Sequence, residues 1–221
     1  QSKWEELAEN LEAQLQLADT EEQQTRLMLR LGELRETRMG QVETSIDIYR
    51  EVLDREPDNA PALAALERLG QTPEHELGIS EILEPLYRQG GDWQKLIGVY
   101  EVQVRRSDDP SRRVELLHQI AALFEDAGGD PDSAFTSLAR ALAEDPTSEE
   151  TKQGLDRLAR ATDRYADLAK VFEERAQAQL NPLAGDAGAD ADATQVTDPS
   201  VAVDLFTMAA RVYENDLALA E

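Results

Sequence analysis

His118, with Glu115, Glu125 and Asp126 close by in sequence, is the residue whose type best suits proton transfer or ligand contact. No second imidazole and no nucleophile stands beside it, so it reads as an ordinary surface histidine available to a partner rather than as a catalyst. His75, after Pro73–Glu74 at an expected helix start, has less to offer. These two histidines and the complete lack of cysteine exclude disulfides, thiolate metal sites and a cysteine nucleophile. Asp186, Asp190, Asp192 and Asp198 raise calcium, but the glycine and terminal glutamate spacing of an EF-hand loop is missing, and a solvated linker is expected. Glu5–Glu6 and Glu149–Glu150 are pairs that 46 acidic residues make inevitable. Gly90–Gly91 and Gly128–Gly129 read as turns, because no Lys-Ser or Lys-Thr follows to hold a phosphate. No catalytic residue, metal or cofactor is expected, and an enzyme is not the reading these residues support.

The chain has 221 residues with 22 basic side chains, for a net charge of −24. Such a surface repels phosphate backbones, and no basic patch offsets it, so nucleic acid is not an expected partner. No apolar run reaches the ~18–20 residues needed to span a bilayer, and no signal peptide opens the chain. A soluble protein is expected, with the cytoplasm favoured. A start at Gln1 and an end inside a helical pattern read as a piece of a longer protein.

The organisation is a repeat. Sliding the chain by 89 positions places Trp4 on Trp93, Leu7 on Leu96, Leu27 on Leu116 and Gly40 on Gly129, then Pro57 on Pro146 and Arg68 on Arg157, without a gap. A third copy begins 72 residues after Trp93, with Tyr165, Leu168 and Phe172 on Trp93, Leu96 and Tyr100, and returns to the 89 shift at Leu205. Copy one is therefore placed at 1–72, an inserted helix at 73–89, copy two at 90–161, and a partial copy three at 162–221 with a flexible acidic loop at 181–198. That loop is rich in Ala, Gly and Asp and poor in large apolar residues. Apolar residues recur at helical spacing nearly throughout, and about eleven helices are expected. Asp109–Pro110 and Asp130–Pro131 mark two helix starts, a capping acid before a first-turn proline.

Leu117, Ile120, Ala121 and Phe124, followed by Ala134, Leu138, Ala141 and Pro146, resemble the two helices of a tetratricopeptide repeat. Met28, Leu31 and Gly32 with Ser45, Tyr49, Val52 and Pro57 repeat the theme. The wider pattern is similar to large bacterial proteins built from degenerate tetratricopeptide arrays. The resemblance implies an all-α fold, an α-solenoid of antiparallel helix pairs wound as a right-handed superhelix, acting as a monomeric protein-interaction scaffold. The alternative is a structural spacer, or a regulatory module of a larger protein whose catalytic domain lies elsewhere. A carboxylate-gripping Lys–Asn pair, used by some members, is missing: the corresponding positions hold Leu29, Glu33, His118, Ala122, Thr207 and Arg211. If Leu117–Phe124 and its equivalents are first helices of their pairs, Glu33, Glu36, Glu115, His118, Glu125, Arg211 and Glu214 face one concave surface. Its acids imply a protein or peptide partner bearing basic residues.

Overall fold

A computed structural model describes residues 2–180 and 198–217. The loop expected at 181–198 lies outside them as far as residue 197. The described chain runs α1 (Ser2–Leu17), α2 (Glu21–Thr37), α3 (Val42–Arg55), α4 (Ala60–Leu69), α5 (Glu76–Gly90), α6 (Trp93–Arg106), α7 (Pro110–Asp126), α8 (Pro131–Glu144), α9 (Glu149–Thr162), α10 (Tyr165–Leu180) and α11 (Pro199–Val212), then a π-helical turn over Tyr213–Leu217. No strand occurs among the described residues. The described residues are all-α, and most helices pack on their neighbours in sequence.

Capping chemistry places the helix starts, and it follows the 89-residue register. Thr20, Asp109 and Asp198 occupy one repeat position and each begins a helix: Thr20 Oγ1 accepts from the Gln23 amide, Asp109 Oδ1 from Ser111 and Asp198 Oδ1 from Ser200. Asp198, assigned above to the acidic loop, is thus the N-cap of α11. Asn59 and Ser148 form a second equivalent pair, accepting from the Ala62 and Thr151 amides. Gly40 and Gly129 take φ of +66° and +59° in the turns after α2 and α7, a conformation side chains resist.

The chain divides into two compact units, Gln1–Val102 and Gln103–Glu221. In the first, α2 packs on α1 and α3, and α3 on α4. Ala8, Leu11, Leu31 and Leu34 form one buried cluster there. In the second, α7 pairs with α8, α8 with α9 and α10 with α11. Ala121, Ala134, Leu138, Leu155, Phe172 and Leu205 share one core, where small alanines let the backbones approach and Phe172 fills the space between.

The tryptophans stand at the edge of the core. Trp4 is 40% exposed, with the Arg38 guanidinium 5.4 Å from its ring centroid. Trp93 is half-buried. Both stand in the first turn of their helices, at the rim of the packed layer. The residues one and two turns further on, Ala8 and Leu11 in α1 and Leu96 and Tyr100 in α6, point inward and are buried.

Candidate partner-binding site

A groove of about 700 Å³ lies in the first unit between α2 and α4. Helical spacing puts Arg26, Leu29, Arg30 and Glu33 of α2 along one wall. Pro61, Ala64, Ala65 and Arg68 of α4 form the other, and Tyr49 of α3 reaches the floor. Arg68 closes the groove by gripping Glu36 of α2 with both terminal nitrogens, Nη2 to Oε2 at 3.0 Å, while the Tyr49 hydroxyl donates to the same carboxylate at 3.1 Å. The arginine holds the Glu36 carboxyl below its ordinary range, against a smaller upward push from burial. Burial, with Glu36 adding to it, pushes the Tyr49 phenol upward.

The second unit repeats this link. Arg157 of α9 grips Glu125 of α7 with both terminal nitrogens, Nη2 to Oε2 at 2.8 Å, and holds its carboxyl below the ordinary range in the same way. Around it the α7–α9 face differs from its counterpart. Glu115 stands where the first unit has Arg26, Gln119 where it has Arg30, and Glu150 where it has Pro61. Glu115 is exposed and meets Arg112 one turn back at 3.0 Å. His118 replaces Leu29: Nε2 lies 2.7 Å from Thr151 Oγ1 and Nδ1 lies 3.5 Å from Glu150.

Two family models, each described as tetratricopeptide repeat, match residues 12–59 and 82–114. They agree with the packed, register-matched helix pairs. The chain carries tetratricopeptide repeats. No curated protein matches it. The matched spans run from α1 through α3 and from α5 into α7, and the register carries the same pattern on to α7, α8 and α9. Repeats of this family serve protein–protein interaction as a class and are typically non-catalytic. No helix among the described residues is long and apolar enough to cross a membrane.

Around these tetratricopeptide repeats the seven residues singled out from sequence occupy different roles. Glu33 lines the first unit's groove and is exposed. Glu36, its side chain only 7% exposed, and Glu125 are committed to arginines on a neighbouring helix. Glu115 and His118 lie on the α7–α9 face. Arg211 lines a smaller groove of about 310 Å³ with Lys152, Phe172 and Met208, and Glu214 is exposed in the π-helical turn. The buried Lys152 is held by Asp204 at 2.7 Å and Glu149 at 2.9 Å, tying α9 to α11.

Sequence reasoning missed Arg26, Arg30 and Arg68. The signal for Arg68 was present: Glu36 and Arg68 are separated by the same interval as Glu125 and Arg157, so an acid and a base recur together. Nothing comparable marked Arg26 and Arg30, which have no counterpart in the second copy.

Proposed function

We propose that this chain is a protein-interaction scaffold whose α7–α9 face takes a basic segment of a protein or peptide partner. Support comes from the solvent-exposed acids on that face, of which Glu115 has only the exposed Arg112 beside it. Glu115, Glu150 and Asp126 are exposed, and His118 adds a polar contact between them. Such a face raises the local concentration of a basic segment and speeds its capture. The α2–α4 groove departs from a uniformly acidic surface. Arg26 and Arg30 have no side-chain partner among the described residues, and with Arg68 they offset Glu22, Glu33 and Glu56 on its walls. The basic-partner reading therefore rests on the second unit, and the first unit contributes shape and apolar floor.

The test uses a partner identified by cross-linking in the native cell, with affinity measured against salt. Glu115→Lys with Glu150→Lys leaves the Glu125–Arg157 link intact and should weaken binding by about tenfold or more at low salt. The difference should shrink as salt screens exposed charge within ~8 Å. An unchanged affinity in the double variant at low salt sinks the reading.

A further inference from the structure

The 89-residue shift that lays α3 on α8 also lays the start of α5 on that of α10, Glu76 on Tyr165. Their buried faces coincide: Ile79, Ser80, Leu83 and Tyr87 stand where Leu168, Ala169, Phe172 and Ala176 do. In the second unit a cationic side chain bridges the two helix starts. Arg164, just before α10, donates from Nη1 to Oδ1 of Asp132 in the first turn of α8, at 3.0 Å. The same positions in the first unit hold His75 and Glu43, and Glu74 stands on Asp163. The guanidinium is gone, and an imidazole takes its place beside two carboxylates.

Glu43 lies in the first turn of α3, and His75 is the N-cap of α5, yet its side chain makes no capping bond. One oxygen of each glutamate and a ring nitrogen of His75 lie within 4.8 Å of one another. None of the three side chains makes an ion pair or hydrogen bond among the described residues. With 46 acids, pairs of carboxylates are inevitable, but among the described residues no other three ligating groups converge this closely. The backbone beneath is pinned, since the Thr72 carbonyl accepts from the His75 and Glu76 amides at 3.1 and 3.0 Å. A hollow of about 570 Å³ between α3 and α5 opens beside Glu74 and His75, and its remaining charges are Asp47, Asp54 and Glu81 against Arg50.

We infer that Glu43, Glu74 and His75 form a site for a divalent first-row transition cation of zinc type, which ties α3 to α5 as Arg164 ties α8 to α10. The observation that carries it is the exchange: where one unit has a built-in cation, the other has a set of donors that needs one. Two carboxylates balance the charge of the ion, and the imidazole nitrogen favours zinc over magnesium or calcium. Three protein ligands with water in the fourth position suit zinc coordination. Ligands around a tetrahedral zinc lie about 3.4 Å apart at bonds of ~2.1 Å, and rotation of the exposed Glu43 and Glu74 side chains closes the difference. This site lies in the first unit and the α7–α9 face in the second, so neither proposal depends on the other.

Zinc is titrated into the intact chain by calorimetry, with excess magnesium at physiological ionic strength to screen the acidic surface. Saturation at a single site is expected. His75→Arg restores the side chain of the second unit, should keep the fold, and should weaken zinc binding at least about tenfold, as should Glu43→Gln; loss of even an outer-shell partner costs about 10–100-fold. Glu81→Gln removes the same charge without removing a ligand and should leave the affinity unchanged. Zinc should raise the melting temperature of wild type and not that of His75→Arg. The inference is overturned by an absence of saturable zinc binding, by binding that His75→Arg leaves unchanged, or by an equal loss in Glu81→Gln. Binding lost in His118→Ala but kept in His75→Arg also overturns it, since the metal would then sit at the other imidazole.

Discussion

Glu36 accepts hydrogen bonds from Arg68 and Tyr49 while almost out of water, so its charge is satisfied only by the helix arrangement it helps to fix. Glu36→Gln keeps the shape and removes the charge, and should cost about 1.5–3 kcal/mol, the range for hydrogen bonds to charged groups. Glu125→Gln should cost about 1 kcal/mol or less, because the Arg157 pair is more open to solvent. Both carboxyls lie below the ordinary value of 4.5 in the folded state, first because of their arginines. The unfolded chain therefore takes up these protons first on acidification. The stability they confer is complete above about pH 5 and is lost as pH falls through the folded values. Denaturant midpoints for wild type and Glu36→Gln should accordingly converge as the pH falls through the lowered folded value of Glu36. A gap that persists at low pH would show that the charge is not what Glu36 contributes.

Between elements, the fit of α2 against α3 gives a sharper test than any single deletion. Adding a methyl at Gly32 gains about 1 kcal/mol of helix propensity. It also forces the Tyr49 ring to move, at about 1–3 kcal/mol for overpacking. The steric term wins, and Gly32→Ala should lower the melting temperature. The second copy uses Ala121 with Leu138 at these positions, so Gly32→Ala should cost less in a Tyr49→Leu background. A double-mutant cycle that closes to zero would mean the two helices do not meet as described. Among the aromatics, Phe172→Ala should cost about 3–5 kcal/mol, whereas Trp4→Ala loses little beyond the Arg38 contact, about 0.5–1 kcal/mol at an exposed site. Calorimetry of the two variants separates core from rim.

Across the molecule, 46 acids face 22 bases, so many carboxylates have no basic partner whatever the fold. Their mutual repulsion outweighs what the exposed ion pairs contribute, since such pairs are each worth only about 0–1 kcal/mol. Screening should then stabilise the protein: its melting temperature is expected to rise between about 0.01 and 0.15 M NaCl, as the Debye length shrinks from about 30 to 8 Å. A fall over that range would mean that attractive pairs dominate the surface.

The repeat register, the helical class, the helix starts at Asp109 and Asp130 and the turn glycines Gly40 and Gly129 were all written in the sequence, whereas the cap at Asp198 was read as loop. Each depends on a few neighbouring residues, and a period exposes such local rules when it repeats them. The roles of Glu36 and Glu125 were decided by tertiary structure. An acid on α2 or α7 looks like open surface until α4 or α9 folds back and brings an arginine to it. The same applies to Trp4, whose apolar character suggested burial while its first-turn position put it at the rim. Arg26 and Arg30 became groove residues only because α4 stands opposite them. Periodicity fixes which residues share a helix face. What that face meets is set by helices tens of residues away, through packing that no local pattern encodes.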